Sequence, residues 1–324
     1  MKILILGAAG FIGANIAKTL SKNPKNNLTL VDNYFRGSND KFINDIIISD
    51  NCTFIECDLT NPDSFKRFDH DYDQVYFLAS VVGVGFTSQY PRRVIEINTK
   101  IILNTLEWLA CISAKPKVLF SSTSESYASS IDLKVGNIPS SEDIPLSVRN
   151  IFEPRYTYAI TKILGEAGII HYANDVGFDY VILRYHNVYG PRMGFSHVIP
   201  QVVKRFFEKE EPFKIFGWDQ TRSFNFIDDA VNGTILAMNS NSNSKLFHIG
   251  SEEEISIESL VRFIGKLLNY EGEYRNDISH IGSVSRRCPD ITRARRELKY
   301  EPQILWQDGV TATVDWYANY YKNQ

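Results

Sequence analysis

The chain has 324 residues, of which 44% are hydrophobic and 23% charged, and its formal net charge is −3 at pH 7. This composition is typical of a globular protein with a substantial core, and nothing in it indicates a nucleic acid or an anionic membrane as a partner. No apolar run approaches the ~20 residues of a membrane span, and the sequence starts on a strand without a signal peptide. Its four cysteines and six histidines are scattered, so we expect reduced thiols, no metal site and a cytoplasmic location.

The first 33 residues carry the most informative pattern. A buried strand at Lys2–Leu6 runs into a glycine turn, G-x-x-G-x-x-G, then into an amphipathic helix at Phe11–Ser21 and a second strand at Leu28–Val31. Glycines let the backbone approach a pyrophosphate, and the helix start offers it free N–H groups. Asp32 ends the second strand, close to the ~20-residue spacing expected for an acid that holds a ribose. The pattern predicts a dinucleotide site built from Gly7, Gly10, Phe11, Ile12, Gly13, Asp32 and Asn33.

Strands and helices alternate along the rest of the chain. Further strand-like runs lie at Thr53–Glu56, Gln74–Leu78, Lys117–Phe120, Tyr180–Arg184 and Leu246–Ile249, mostly with helical periodicity between them. This alternation predicts an α/β fold with a doubly wound parallel sheet, of the Rossmann type. A long helix at Pro91–Cys111 has an apolar stripe that indicates core or a subunit interface. A basic cluster from Arg286–Arg287 to Arg293–Arg296 is typical of a solvated helix face.

Asp58 and Leu59 follow the third strand, at the sheet edge where ligands bind in such folds. Asp58 has two interpretations of about equal weight. Its carboxylate could accept a hydrogen bond from an adenine amino group, or it could belong to a helix N-cap before Pro62.

Hydroxyl side chains cluster where the fifth strand ends, in the run Ser121-Ser122-Thr123-Ser124-Glu125-Ser126-Tyr127. Buried hydroxyl groups need hydrogen-bond partners, so this cluster indicates a site rather than core. Glu125 is the one carboxylate in it. The polar segment Ala128–Asn150 is predicted to be a loop over the site.

Tyr158 and Lys162 lie four residues apart in a helix predicted from about Thr157 to Asn174, so both project from one face. A nearby ammonium lowers the pKa of a phenol from ~10 toward neutrality, which would let Tyr158 exchange a proton with a hydroxyl. A single Y-x-x-x-K is common by chance. It gains weight here from the glycine turn, Asp32 and the hydroxyl-rich strand end that precede it.

Together these motifs resemble the extended short-chain dehydrogenase/reductase family, which contains nucleotide-sugar epimerases, dehydratases and decarboxylases. The resemblance continues through Arg184-Tyr185-His186-Asn187-Val188-Tyr189-Gly190-Pro191-Arg192, Gln220–Phe224, Ile227–Asp229 and Arg287–Asp290, and it covers essentially the whole chain. It implies an NAD-binding domain at 1–186 plus about 226–249. A smaller α/β domain, at about 187–225 plus 250–324, would bind a nucleotide-diphosphate sugar.

The resemblance also implies roles for particular residues. Thr123 would hydrogen-bond the sugar hydroxyl that is oxidised, and Tyr158 would remove its proton. Lys162 would hold the nicotinamide ribose. The substrate's diphosphate or its flanks would be contacted by Asn187, Arg222 and Arg287, which suits the fork geometry of arginine.

The same resemblance bears on the cofactor. The family's His-Leu-Ala-Ala segment beside the cofactor is Phe77-Leu78-Ala79-Ser80 here, so Leu78, Ala79 and Ser80 are expected cofactor contacts. A carboxylate at Asp32 favours NAD over NADP because it repels a 2′-phosphate. Arg36 leaves the alternative open, since a nearby arginine can accommodate that phosphate.

Glu125 bears most directly on reaction type. Thr123-Ser124-Glu125 resembles nucleotide-sugar decarboxylases and the GDP-mannose type of 4,6-dehydratase, whereas plain epimerases of the family usually have a small or apolar residue at this position. A 4-ketone labilises its neighbouring carbon, so a second acid/base group can drive elimination, decarboxylation or inversion. We therefore expect an NAD-dependent enzyme that oxidises the sugar C4 hydroxyl. Its product stays open among an epimer, a decarboxylated sugar, a dehydrated sugar and a released ketosugar.

Two alternatives come from other classes. An NAD-sensing regulator without turnover would need only the glycine turn and Asp32, and Thr123, Tyr158 and Lys162 argue against it. A reductase of apolar substrates would favour NADPH and would not need Arg222 and Arg287. By resemblance we expect a homodimer formed through the helices at Pro91–Cys111 and Thr157–Asn174.

Overall fold

The computed structural model describes residues 1–242, 244–277 and 285–323. Its strands are β1 (Lys2–Leu6), β2 (Asn27–Asp32), β3 (Cys52–Glu56), β4 (Gln74–Phe77), β5 (Lys117–Thr123), β6 (Tyr180–Tyr185), β7 (Val188–Tyr189), β8 (Phe213–Phe216), β9 (Thr221–Ser223), β10 (Asn225–Phe226), β11 (Lys245–Ile249), β12 (Glu254–Ser256), β13 (Tyr274–Asp277) and β14 (Arg286–Arg287). Its helices are α1 (Phe11–Ser21), α2 (Lys41–Ile47), α3 (Val84–Gln89), α4 (Pro91–Cys111), α5 (Ala128–Asp132), α6 (Tyr156–Val176), α7 (Val198–Phe207), α8 (Ile227–Asn239), α9 (Ile257–Leu267), α10 (Thr292–Leu298) and α11 (Trp306–Lys322). Two short 3₁₀ helices lie at Pro62–Arg67 and Ser124–Tyr127.

Seven strands form one parallel sheet in the order β11-β6-β5-β4-β1-β2-β3. Successive side chains of a strand point to opposite faces, and both faces here are covered. In β1, Ile3 and Ile5 belong to the core on one face, and Leu4 and Leu6 belong to the core on the other. All four side chains are fully buried. The doubly wound α/β fold predicted from the alternation is therefore confirmed.

The predicted strand runs all fall within strands of this sheet, except that Leu78 lies just past the end of β4. The main difference is at β5, which continues to Thr123 instead of ending at Phe120. Its last residues pair with β6, with Ser121 opposite Leu183 and Thr123 opposite Tyr185. The hydroxyl residues thus begin within the sheet, and the turn that follows starts from a fixed strand end.

The smaller sheets come mainly from the later part of the chain. Strand β9 pairs with β12 and β14, β8 pairs with β13, and β10 pairs with β7. The prediction that the basic cluster is one solvated helix face was wrong for its first part, since Arg286–Arg287 form β14 and only Arg293–Arg296 lie in α10. The segment predicted as a loop from Ala128 begins with the short helix α5.

Residues 243, 278–284 and 324 fall within the predicted domains and lie outside the described residues. None of the helices in the described ranges is long and apolar enough to cross a membrane.

Candidate active site

The glycine turn is shaped by close backbone contacts. Gly7 has a φ of +89°, and a Cβ at this position would lie 2.7 Å from the backbone nitrogen of Ala79. A Cβ on Gly13 would collide with the carbonyl oxygen of Gly7. Only glycine fits both positions, because each needs space that a side chain would fill.

Helix α1 begins immediately after Gly10, with no capping side chain and no acidic residue in its first turn. The N–H groups of Phe11, Ile12 and Gly13 therefore have no acceptor within the helix. Such a helix start attracts anions, and an acidic side chain there would compete for the same N–H groups. The turn and the helix start fit the pyrophosphate of a dinucleotide.

Asp32 is 8% exposed and is held by the turn that it follows. Its Oδ2 accepts a hydrogen bond from Ala9 N at 2.9 Å, and its Oδ1 accepts one from Tyr34 N at 2.8 Å. Burial raises the pKa of this carboxyl, and the backbone hydrogen bonds act against that rise. The carboxylate is oriented at the end of β2 and keeps lone pairs for a second donor.

The neighbouring predicted cofactor residues are placed at the same sheet edge. Asn33 Oδ1 accepts from Phe35 N at 3.0 Å, and Asp58 Oδ1 accepts from Thr60 N at 2.9 Å. The N-cap of the 3₁₀ helix at Pro62–Arg67 is Asn61 rather than Asp58. Asp58 therefore lies in the turn that leads into this helix, where its carbonyl accepts from Asn61 N, but it is not the N-cap residue. Leu59 is buried, and its carbonyl accepts from Asn104 Nδ2 at 2.9 Å.

Leu78, Ala79 and Ser80 follow β4 and lie against the glycine turn. Leu78 N donates to Leu6 O at 2.9 Å, and Ala79 is the residue that a Cβ on Gly7 would strike. The Oγ of Ser80 is buried and has no hydrogen-bond partner among the described residues. A buried hydroxyl group without a partner indicates a place where a ligand can supply one.

Asn98 fixes the segment after Ser80 and was not singled out from the sequence as a positioning residue. Its side chain exchanges two hydrogen bonds with the backbone of Val81, at 2.7 and 3.0 Å, and donates to Thr161 Oγ1 at 3.2 Å. It therefore ties this segment to α6, the helix that carries Tyr158. The available signal was a single amide within the otherwise apolar stripe of α4.

Thr123, Tyr158 and Lys162 come together at the end of β5. Thr123 Oγ1 accepts from Glu125 N at 3.2 Å, and its side chain lies close enough to Tyr158 to act on the pKa of that phenol. Lys162 is 3% exposed, and its Nζ donates to Ser121 O at 2.6 Å. The same Nζ lies 5.8 Å from the centre of the Tyr158 ring.

The expected direction of the Tyr158 pKa was wrong for this geometry. Burial raises the pKa of Tyr158, and the Glu125 charge raises it further, while the Thr123 hydrogen bond acts the other way. Burial also lowers the pKa of Lys162 to about 7, against the charge of Glu166. Near pH 7 Lys162 is therefore only partly protonated. It offers less positive charge to the Tyr158 phenol than a fully protonated lysine would.

Glu125 is bound by two arginines. Its Oε1 accepts from Arg287 Nη1 at 2.7 Å, and its Oε2 accepts from Arg155 Nη2 at 3.4 Å. Burial alone raises the pKa of Glu125, but the charges of Arg287 and Arg155 outweigh it and hold that pKa below its usual range. Glu125 is therefore an ionised carboxylate within electrostatic reach of Tyr158.

Arg222 and Arg287 face each other in register on the parallel strands β9 and β14. Arg222 Nη1 donates to Thr221 O at 2.7 Å. Burial and then the charge of Arg287 lower the pKa of Arg222 to about 10. Asn187, the third predicted substrate residue, donates from Nδ2 to Ser223 O at 2.7 Å, so it lies beside the same strand β9.

Two supports hold this cluster in place. Ser140 N donates to Cys288 O at 2.9 Å and Asp290 N donates to Ser140 O at 2.8 Å, so the segment after α5 is fastened beside Arg287. Behind the site, Arg184 and Glu166 form a bidentate pair at 2.9 and 2.7 Å, and both are 4% exposed. Ser122 Oγ also donates to Glu166, which connects the pair to β5.

Arg36, which left the cofactor choice open, lies beside Gly83 with its guanidinium 5.9 Å from the centre of the Phe86 ring. Across the described ranges, no three His, Cys, Asp or Glu side chains form a group that could hold a metal ion.

Comparison with known proteins agrees with this geometry. Residues 3–250 match the model of a family described as the NAD dependent epimerase/dehydratase family. The chain is 31% identical to a UDP-N-acetyl-alpha-D-glucosaminuronate decarboxylase from Bacillus cytotoxicus over 98% of this chain and 97% of that protein. It is also 31% identical to a UDP-glucuronate 4-epimerase from Thermodesulfobacterium geofontis, over 97% of this chain and 95% of that one. Among solved structures, UDP-glucuronic acid 4-epimerase from Bacillus cereus, in complex with UDP-glucuronic acid and NAD, matches with a TM-score of 0.86 at 28% identity over 99% of this chain and 100% of that chain.

Proposed function

Since the chain belongs to the NAD-dependent epimerase/dehydratase family, we propose that it oxidises C4 of a UDP-hexuronate and releases the C6 carboxylate as carbon dioxide. One observation carries this proposal: the Glu125–Arg287 ion pair at 2.7 Å, next to Tyr158. Arg155 also contacts Glu125, so two arginines face one carboxylate, and this excess of positive charge suits an anionic sugar better than a neutral one.

Tyr158, Thr123 and Lys162 have separate roles in the proposed oxidation of C4. NAD, when bound on the glycine turn and Asp32, supplies the two-electron oxidant for C4. Tyr158 takes the proton of the C4 hydroxyl in its phenolate form, which burial and Glu125 disfavour in the protein alone and which the positive nicotinamide ring of bound NAD would favour. Thr123 orients that hydroxyl. Lys162, fixed on Ser121 at 2.6 Å, lies one helical turn after Tyr158 on the same face of α6, where it can orient the nicotinamide ribose.

A ketone at C4 makes the bond between C5 and the carboxylate labile, because the electrons left behind on C5 delocalise onto the ketone oxygen. C5 then takes a proton from solvent, and the hydride removed from C4 either returns to the ketone or leaves with NADH. The ionised Glu125 cannot donate a proton near neutral pH, since its pKa lies below the usual range. It can accept a hydrogen bond from a sugar hydroxyl and hold Arg287 in position. The arginines then bind the negative charges of the substrate.

The deciding experiment is incubation of the protein and NAD with UDP-glucuronate, UDP-N-acetylglucosaminuronate and UDP-glucose. Products are identified by NMR and mass, and NADH by its absorbance. We expect loss of carbon dioxide from at least one uronate. An isomer of unchanged mass would instead establish a 4-epimerase, loss of water a dehydratase, and loss of two hydrogens with NADH a 4-dehydrogenase. No turnover of any sugar would favour an NAD-sensing regulator.

Glu125→Gln tests the observation itself, because it keeps the shape of the side chain and removes its charge. We expect carbon dioxide release to fall by about tenfold or more, the cost of a lost hydrogen bond between the charged carboxylate and the sugar and of a less firmly held Arg287. C4 oxidation, followed as NADH formed in a single turnover, should persist. Equal decarboxylation by the variant and the parent protein would contradict the proposal.

We also propose that residues 1–186 and about 226–249 hold the cofactor, whereas about 187–225 and 250–324 hold the nucleotide sugar. Asn187, Arg222 and Arg287, the predicted substrate residues, all belong to the second set. The four cysteines are free, which suits a reducing compartment such as the cytoplasm.

A homodimer through α4 and α6 is supported by exposed apolar side chains on both helices. Ile95 and Leu103 on α4 are 45% and 44% exposed, and Ile160 and Leu164 on α6 are 38% and 40% exposed. Light scattering of the parent protein and of Leu164→Glu tests this state. A monomeric parent protein would contradict it.

A further inference from the structure

The surroundings of Glu125 carry more positive charge than this one carboxylate balances. Arg155 and Arg287 both contact this carboxylate. Like charges brought together in a half-buried site repel each other unless an anion joins them. A nucleotide diphosphate accounts for anions near Arg222 and Arg287. Arg155 lies elsewhere, at the start of the helix that carries Tyr158.

The position of Arg155 is electrostatically unfavourable for a structural residue. It is the N-cap of α6, where Ser, Thr, Asp and Asn are preferred, and its side chain caps no N–H group. A cation at a helix N-terminus also opposes the helix dipole. Sequence reasoning did not identify this residue. A basic side chain three residues before Tyr158 was the available signal.

Arg155 is also the looser partner of Glu125. Its Nη2 is 3.4 Å from Oε2, whereas Arg287 Nη1 is 2.7 Å from Oε1. Its side chain is 22% exposed and that of Arg287 is 11% exposed. Arg287 can therefore keep Glu125 paired while the guanidinium of Arg155 turns to another carboxylate.

We propose that Arg155 determines specificity by binding the C6 carboxylate of the sugar, in exchange for its contact with Glu125. Glu125 is the carboxylate that Arg155 binds within the protein, a uronate carries the same chemical group, and Arg155 lies about one helical turn before Tyr158. The planar fork of arginine matches a carboxylate with two parallel hydrogen bonds. This inference rests on the proposed function, because it assumes a uronate substrate.

The test measures binding in a Tyr158→Phe background, in which turnover is expected to be slowed about 100-fold or more. Dissociation constants for UDP-glucuronate, UDP-glucose and UDP are determined by calorimetry with NAD present, before and after Arg155→Gln. We expect UDP-glucuronate to bind about 10- to 100-fold more weakly, the usual cost of a lost hydrogen bond between charged groups. UDP-glucose and UDP should change by less than about twofold.

Arg149→Gln is the matched control. It removes a positive charge from an exposed residue on the segment that leads into α6, and the described residues offer its side chain no ion pair. It should leave all three constants unchanged. Arg155→Lys keeps the charge without the fork and should show an intermediate loss for UDP-glucuronate alone.

The possible results separate the two proposals. Equal weakening of all three ligands by Arg155→Gln would make Arg155 a structural residue and overturn the inference. An unchanged constant for UDP-glucuronate would overturn it as well. If Arg155→Gln selectively weakens UDP-glucuronate but the parent protein releases no carbon dioxide, the inference stands and decarboxylation fails. A parent protein that binds UDP-glucuronate no better than UDP-glucose contradicts both.

Discussion

The glycine turn and the cluster of Glu125, Arg155 and Arg287 lie at the same edge of the main sheet, and different forces shape them. The turn is defined by close backbone contacts between Gly7, Gly13 and Ala79, all near the start of the chain. The cluster is defined by charge, and the residues of its tightest pair are 162 positions apart. A site shaped by steric contact has one workable arrangement, whereas a site shaped by charge can exchange partners. The proposed cofactor end is thus sterically fixed, and the proposed substrate end can exchange its ionic partners for an anion.

Tyr158→Phe should have the largest effect and tests the substrate end directly. Removing the phenol oxygen takes away the group that exchanges a proton with the C4 hydroxyl, so we expect turnover to fall by about 100-fold or more. Affinity for NAD, measured by fluorescence quenching, should be nearly unchanged, because the glycine turn is untouched. Turnover equal to that of the parent protein would remove Tyr158 from the mechanism.

Gly13→Ala tests the rigidity of the cofactor end. Its Cβ would collide with the carbonyl oxygen of Gly7, which is backbone and cannot rotate away. We expect NAD affinity to fall at least about tenfold and the free energy of unfolding to fall by about 1–3 kcal/mol, as for an overpacked core. Gly177→Ser serves as a control for surface glycines, since a Cβ at this position meets nothing within 4 Å. Gly177 has a φ of +88°, so this control should lose some stability and no NAD affinity.

The difference between the two regions also explains what the sequence could predict. Hydrophobic alternation and glycine spacing identified the strands of the sheet, α1 and the acid at Asp32, because each depends on nearby residues. Thr123, Tyr158 and Lys162 were found through their motifs, and the structure brings them together.

The contact of Arg155 with Glu125, and the ion pairing that keeps Glu125 ionised, could not be predicted in this way. Pairing of Arg287 with Glu125 depends on β14 lying beside β9, which is a long-range contact with no local signature. The predicted direction of the Tyr158 pKa was wrong because it also depends on contacts made in the fold. Burial and the charge of Glu125 raise this pKa, and they outweigh Lys162, whose own charge is reduced by burial.

Asp32→Ala should have a smaller effect and sharpens the cofactor assignment. The carboxylate accepts hydrogen bonds from Ala9 N and Tyr34 N, so its loss loosens the turn and weakens NAD and NADP alike. Its hydrogen bond to the ribose serves NAD only, so NAD should lose about tenfold more than NADP. Dissociation constants for both cofactors decide the point, and equal losses would leave Asp32 a purely structural role.

Lys162→Met tests whether the buried charge of this lysine costs the folded protein stability. In the folded protein burial lowers the pKa of Lys162 to about 7, well below its ordinary value of 10.5. Below pH 7 the lysine is protonated in both states, and the cost of burying its charge is fully present. Between these two pKa values the unfolded chain binds one more proton than the folded one, so stability rises with pH by at most about 1.4 kcal/mol per unit. Urea unfolding at pH 6 and pH 9 should therefore show the parent protein gaining on Lys162→Met as the pH rises, whereas Lys100→Met, at an exposed position, should not change this trend. Parallel pH profiles of stability for Lys162→Met and the parent protein would mean that the lysine is buried without electrostatic cost. The site would then show no measurable stability cost of buried charge to set against the steric constraint of the glycine turn.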